Sequence, residues 1–419
     1  MTSPLKTRPD LVVLPDSSSP AARSLEKRRL RKHQVLNIIR QSGPISRRDI
    51  VDISGFNLPS VSSFVQESLD EHLVFEEKSK TSRLGRHSKL VTLNPQAACV
   101  VGIDAGKRLT TGVAVSLGGT ILARIEEDTP ESESAEELAK RLVRLGENLY
   151  VSQASMLPPL AGIGVALPGL VGEPERPAGP ASNGAAATHA GGGTDERQIR
   201  HSLEERFGVP VFLDNDARMS ALGSMWFGTG RDLNTFAVIN IGFGLGMGIV
   251  IDKKLFRGAM GFSGELGHIP LGDAGVPWYT GIERGLENVA SGAGIARLGR
   301  LAGLNFRDAS EIAEMASQGD REATEVIERF ALHLAYGIAT VISLFNPEAV
   351  ILTGRVCRSN ALFMPMVEKN LERLVLPAVR PRTRLIISQQ RENESTLGAA
   401  AIVLHHIFMT SHVNLEQVL

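Results

Sequence analysis

A change of pattern between residues 95 and 100 constrains this chain more than any other feature. Before it, apolar residues recur at helical spacing among lysines and arginines. After it, short apolar runs alternate with glycine pairs, the mark of strands and tight turns. The two parts demand different folds: a small basic module over residues 25–95 and a larger α/β body over 96–419. A leader over 1–24, rich in Pro, Ser and small residues, reads as disordered. With 419 residues there is room for two or three full-sized cores.

In the module, Leu30, Val35, Leu36, Ile38 and Ile39 give a first helix its apolar face, and Gly43-Pro44 ends it. Ser46 is placed to cap a second helix, with Asp49 three residues on, and Gly55 breaks that helix. A third helix over 58–71, opened by Pro59, turns Val61, Phe64, Val65 and Leu69 inward. Two strands, 73–78 and 89–93, flank a loop holding Lys80, Arg83, Gly85, Arg86 and His87. Helix, turn, helix and basic hairpin make a winged helix-turn-helix, whose second reading helix enters the major groove of double-stranded operator DNA. The candidate DNA contacts are Arg47, Arg48, Pro59, Ser60, Ser62, Ser63, Arg83, Arg86 and His87. A helical bundle used for protein contact is the blander reading. Charge disfavours it: residues 1–90 carry 16 Lys and Arg against 10 Asp and Glu, a net +6. Because the whole chain carries −1, the remainder carries −7. Phosphate contact is therefore expected at one end only.

Composition excludes several classes. No apolar run approaches the ~18 residues of a membrane span, and the first twenty residues lack the apolar stretch of a signal peptide. A cytoplasmic protein with no membrane partner is expected. Cys99 and Cys357 are the only cysteines, too few for a disulfide framework or a cysteine-based zinc site.

In the body, strands are expected over 99–103, 110–115, 120–125, 160–167, 211–213, 236–241, 246–251, 349–352 and 384–388. Helices are expected over 135–153, 321–344 and 361–374. Two lobes that each begin with a β-hairpin sheet suggest a duplicated α/β fold. Residues 172–194 are Gly, Ala and Pro rich and read as a long mobile loop, either a lid or an insertion. Three constellations carry chemistry. Asn215-Asp216 follows a strand, where a carboxylate can accept a proton or hold a hydroxyl. Glycines 242, 244, 246 and 248 let backbone approach a ligand, though a tight hairpin explains them nearly as well. Glu265-Leu266-Gly267-His268, with Glu287, offers acceptors and an imidazole for the hydroxyls of a sugar. Singly, each is an ordinary surface or capping residue.

Together these motifs resemble the ROK family of transcriptional repressors, open reading frames and sugar kinases. Leu213-Asp214-Asn215-Asp216-Ala217 resembles its catalytic-loop motif, and residues 261–268 its Gly-x-x-Gly-Glu-hydrophobic-Gly-His signature. Gly285-Leu286-Glu287, Ala290-Ser291-Gly292, Asn346-Pro347-Glu348 and Leu397-Gly398-Ala399-Ala400 follow in family order. The resemblance implies a winged helix-turn-helix followed by a two-lobed, actin-like (sugar-kinase, RNase H-like) ROK domain. It also implies sugar contacts at Asn215, Asp216, Glu265, His268 and Glu287, and a homodimer or homotetramer. In the kinases the residue matching Asp216 is the general base.

The departures lie elsewhere. The first phosphate loop reads Asp104-Ala105-Gly106-Lys107-Arg108, without the second Gly and the Thr. Phe243 replaces a Thr of the second, Thr353-Gly354-Arg355 replaces the adenosine-side Gly-Gly, and Arg218 replaces a second Asn. Trp278, Thr280 and Gly285 fall where the family has zinc cysteines, so no metal and no cofactor are expected. Lost phosphate donors damage phosphoryl transfer, which rests on electrostatic positioning. The expectation is a sugar-responsive repressor that senses a sugar or sugar derivative without phosphorylating it, Asp216 being a vestigial base. The alternatives are an active sugar kinase bearing a DNA module, which the retained Asp216 keeps open, and a ligand-independent DNA-binding protein.

Overall fold

The structure is a computed structural model and describes residues 5–8, 20–78, 89–169, 171, 196–271, 285–390 and 393–409. The N-terminal unit runs α1 (Pro20–Ser42), β1 (Ile45–Ser46), α2 (Arg47–Ser54), α3 (Leu58–Asp70), β2 (Val74–Lys78) and β3 (Lys89–Leu93). Ser46 caps α2 as its sequence requires: its Oγ accepts the Asp49 amide at 3.2 Å, and the Asp49 carboxylate accepts the Ser46 hydroxyl at 2.7 Å. Gly55, at φ 69°, ends α2 by donating to the Val51 carbonyl. Strands β1, β3 and β2 form an antiparallel sheet in that order. The wing tip with Lys80, Arg83, Gly85, Arg86 and His87 lies outside the described residues.

Two expectations at the N-terminus are corrected. Helix α1 begins at Pro20, not at residue 25. Residues 5–8, expected to belong to a disordered leader, lie against the body. The Leu160 amide donates to Lys6 O at 2.9 Å, and the Arg8 amide donates to Leu160 O at 2.7 Å. The cause is backbone satisfaction: Leu160 opens a strand whose pairing on that side starts only at Ile163, so its amide and carbonyl need other partners.

The body's first lobe contains β4 (Cys99–Ala105), β5 (Leu109–Ser116), β6 (Ile121–Asp128), α4 (Ala135–Leu149), β7 (Leu160–Leu167), α5 (Glu196–Phe207), β8 (Val211–Asn215) and α6 (Asp216–Phe227). The second contains β9 (Phe236–Ile241), β10 (Leu245–Ile251), β11 (Lys254–Phe256), α7 (Glu287–Ala290), α8 (Gly292–Leu301), α9 (Ala309–Ser317), α10 (Arg321–Phe345), β12 (Ala349–Thr353), α11 (Asn360–Leu374) and β13 (Arg384–Ile387). The chain then returns to the first lobe as α12 (Glu394–Met409).

The expected duplication is visible in strand pairing. The first sheet has order β6-β5-β4-β7-β8 and the second β11-β10-β9-β12-β13. In each, the first three strands are antiparallel and the last two join in parallel. Interior strand β7 is buried along its whole length because helices cover both faces. Leu142, Leu145, Ile199 and Leu203 pack on one side, and Ala399, Ala400 and Val403 of α12 on the other. Helix α10 is a correction of a different kind. An 18-residue window within it reaches mean hydropathy 1.3, a span-like composition that the sequence reading missed. Phe330, Leu334 and Ile338 of that helix are buried in the second lobe's core.

The module and the first lobe share one core. Val35, Leu36 and Ile39 of α1 belong to the same apolar cluster as Leu404, Ile407 and Phe408 of α12. Helices α6 and α12 lie nearly backbone to backbone: a Cβ on Gly398 would sit 1.7 Å from Met219 O. The module is thus bolted to the helix pair that underlies the cleft.

Candidate functional site

Strand β8 ends at Asn215 and α6 begins at Asp216, so no loop separates these side chains from the sheet. Asn215 caps α6. Its Oδ1 accepts the amides of Ala217 and Arg218 at 3.0 and 3.2 Å. Its Nδ2 donates to Gly169 O at 2.9 Å and to Asp216 Oδ1 at 3.1 Å. Asn215 therefore spends much of its hydrogen-bonding capacity on the backbone and on orienting Asp216. Burial pushes the Asp216 carboxyl up to about 6. The Ala217 amide, Lys107 and Arg218 oppose that rise, and Glu287 adds to it.

Glu265 caps and His268 ends a single 3₁₀ turn, Leu266–His268, with His268 Nε2 3.7 Å from Glu265 Oε2. Burial pushes Glu265 up to about 7; Arg218 opposes, and Asp216 and Glu287 add to the rise. Glu287 opens α7 and accepts the Leu245 amide at 2.8 Å. That contact explains part of the glycine run. A Cβ on Gly244 would lie 2.6 Å from the Glu287 carboxylate, so only glycine lets the β9–β10 turn approach it. Asn215, Asp216, Glu265, His268 and Glu287 all line one cavity of about 630 Å³ between the lobes.

The nucleotide side differs. Asp104 accepts a short hydrogen bond from the Ser395 hydroxyl, and burial pushes its carboxyl up to about 7. Phe243 projects into the cleft, 44% exposed. Lys107 Nζ stands 4.8 Å from its ring centroid. Arg218 is fully buried, its Nε 2.7 Å from Asp214 Oδ1 and its Nη2 donating to Val171 O at 2.6 Å. Asp214 Oδ2 also meets Arg257 at 2.5 Å. In the sequence Arg218 stands only as a departure; its i, i+4 spacing from Asp214 is the signal that names its partner.

The residues at the zinc position do not fit a zinc ion. Gly285 has no side-chain ligand and bridges Pro270 through its backbone. Trp278 and Thr280, which lie outside the described residues, are not zinc-ligand types. Cys99 and Cys357 are buried in the cores of separate lobes.

On the module, Arg48 is exposed, whereas Arg47 is held 2.8 Å from Glu76, which also pairs with Lys89. Pro59, Ser60, Ser62 and Ser63 lie in the first half of α3. Ser63 Oγ donates to Glu67 at 2.9 Å. The cap of α3 is Asn57, which accepts the Ser60 amide at 2.9 Å. Sequence reasoning missed Asn57, although Asn two residues before Pro59 is a capping signal. The candidate contacts Arg83, Arg86 and His87 lie outside the described residues.

The xylose repressor of Bacillus spizizenii is 27% identical over 382 residues, covering 89% of this chain and 94% of that one. The N-acetylglucosamine repressor of Escherichia coli O157:H7 is 27% identical over 385 residues, covering 90% and 92%. The crystal structure of a ROK family transcriptional regulator, a homologue of the E. coli MLC protein, superposes with TM-score 0.75 at 27% identity, covering 91% of this chain and 97% of that one. A ROK family glucokinase from Streptomyces griseus, in complex with glucose and AMPPNP, gives TM-score 0.60 at 27% identity and covers 73% of this chain, 98% of its own. The ROK family profile itself matches residues 100–406, well over half the chain, and the chain therefore belongs to the ROK family.

Proposed function

We propose that this chain is a sugar-responsive transcriptional repressor: residues 25–95 bind operator DNA and residues 96–419 sense a sugar without phosphorylating it. The observation that carries the reading is the course of α6. Its cap is Asn215 and its first residue Asp216, both lining the cleft. Its last turn holds Trp226, against which Arg40 of α1 is stacked at 4.3 Å. Twelve helical residues span ~18 Å, so one rigid element joins the cleft to the DNA-binding unit. The relatives named as sugar repressors support the same assignment.

In this reading the sugar hydroxyls meet Asp216, Glu265, His268 and Glu287, with Asn215 holding Asp216 in place. Two copies place two winged helices on two half-sites, as a homodimer or within a homotetramer in the cytoplasm. Sugar binding shifts the lobes, and α6 and α12 carry the shift to α1. A coupling of ~1–3 kcal/mol changes operator affinity about 5–150-fold. Titration of labelled operator with and without a sugar panel tests this; operator affinity unmoved by every sugar would refute it.

One observation favours a second reading, an active sugar kinase: Asp216 is retained in a cleft whose fold matches a glucokinase. ADP release across the same sugar panel, abolished in Asp216→Asn, would establish it.

A further inference from the structure

Helix α3 presents one stripe that the rest of the module leaves uncovered. Val61, Phe64, Val65 and Ser68 are buried on its inner face. One flank is taken by α1: Arg28 Nη1 donates to Glu67 Oε2 at 3.1 Å, and Lys32 Nζ donates to Glu71 Oε2 at 2.6 Å. Ser63 borders that flank and donates to Glu67. The outer stripe carries Pro59, Ser62, Gln66 and Asp70, which recur at spacings of three and four and so lie on one side of the helix. Gln66 is exposed at its centre.

A duplex laid against this stripe meets those four side chains, and their chemistry differs. Proline brings no hydrogen-bonding side chain. The Asp70 carboxylate only accepts, and phosphate repels it. The Ser62 hydroxyl suits any base. Gln66 carries a donor and an acceptor on separate atoms. Its amide is also oriented: Nε2 donates to Asp70 Oδ1 at 2.9 Å, one turn further along. Oε1 and the second N–H are left for a partner.

Adenine presents the matching pair in the major groove, since its N6 amino group donates and its N7 accepts. Guanine presents two acceptors there, and its O6 would oppose Oε1. Thymine offers one acceptor and cytosine one donor, so neither engages both amide atoms. A reading helix enters the groove by its N-terminal half. Gln66 stands two turns after Pro59 on the same stripe, so the placement that brings Pro59 to the groove also brings Gln66 over its floor.

We propose that Gln66 selects an adenine in each operator half-site through a bidentate hydrogen-bonded pair in the major groove. This rests on the reading of residues 25–95 as a DNA-binding unit and names the base feature that unit recognises.

The test begins with the full chain, free of sugar, enriching duplexes from a random-sequence pool. Fluorescence anisotropy at fixed salt then measures the enriched duplex and each of its single base-pair variants. Wild type is expected to show an A·T pair in each half-site whose replacement by G·C weakens binding about tenfold or more, as loss of a bidentate contact does. Gln66→Ala should bind all four base pairs at that position within about threefold of one another, while keeping its discrimination elsewhere. Gln66→Arg should turn the preference there toward guanine, whose N7 and O6 both accept from an arginine fork. Adenine preference kept in either variant, or affinity lost equally on every duplex in Gln66→Ala, would overturn the proposal and leave DNA binding intact. Enrichment of no duplex by wild type would overturn the DNA-binding reading along with it.

Discussion

Lys107 Nζ lies 4.8 Å from the centroid of the Phe243 ring, so the two phosphate loops touch across the cleft through residues that depart from the kinase pattern. An exposed cation–π contact is worth ~0.5–1 kcal/mol, too little to lock the lobes but enough to fill the polyphosphate path. Phe243 also brings bulk where a hydroxyl donor would serve phosphate. We expect wild-type protein to show little AMPPNP binding by calorimetry. Phe243→Ala should raise AMPPNP affinity about tenfold, equivalent to ~1.4 kcal/mol. Tight AMPPNP binding by wild type, unchanged in Phe243→Ala, would show that the ring does not block the path.

The contact between Arg40 and Trp226 makes a second prediction. Trp226 is 7% exposed and packs with Phe408 and the Arg40 guanidinium. Trp226→Ala is expected to cost ~3–5 kcal/mol, as large-to-small changes in cores do. Arg40→Met keeps the stem's packing and loses the charge, so it is the cleaner probe. It should leave calorimetric sugar affinity unchanged and basal operator affinity within about threefold. The ratio of operator affinities with and without sugar should shrink toward one, because the proposed coupling runs through this contact. An undiminished ratio in Arg40→Met would remove α6 from the path.

What was legible in the sequence divides along physical lines. Ser46 with Asp49, and Gly55, announced α2 because caps are local and depend on few residues. Strand β3 lies where alternation placed it, at Lys89–Leu93. Asn215, Asp216, Glu265, His268 and Glu287 were named together through motif order, and the cavity brings them together. The contacts that escaped notice are non-local. Nothing near Arg40 in sequence indicates Trp226, and nothing near Leu160 indicates Lys6. Asn57 was overlooked for a different reason: Pro59 drew the helix start to itself, although proline commonly follows a cap. Asn215 was legible as a candidate cleft residue but not as a cap, because the same amide that could meet a hydroxyl is drawn first to the free amides of α6.

The module's two adjacent arginines are not equivalent, and DNA binding should show it. Arg48 is exposed, while Arg47 is engaged by Glu76. Arg48→Ala is expected to weaken operator binding uniformly across sequence variants and to lower the salt slope by about one. Arg47→Ala should reduce affinity less, because its charge is already partly neutralised. Fluorescence anisotropy at several salt concentrations checks both, and equal loss in the two variants would mean that DNA displaces Glu76 from Arg47.

The clustered carboxylates predict how the ligand-free protein responds to pH. Burial pushes Glu265 up to about 7 and Asp216 to about 6, so the folded chain holds protons that the unfolded chain has released. The stability these groups contribute is fully present below their ordinary values near pH 4. It is lost as pH rises through about 6 for Asp216 and about 7 for Glu265. Wild-type stability should therefore fall from about pH 4 to about pH 7 and level off above that. Glu265→Gln removes its share of that fall: the variant should match wild type near pH 4.5 and exceed it at pH 8. One pKa unit corresponds to ~1.4 kcal/mol; screening of a side chain about one-third exposed leaves a gain on the order of 1–2 kcal/mol. Urea melts of both proteins across this range measure it, and parallel pH profiles would mean that Glu265 ionises as an ordinary carboxylate in the folded cleft.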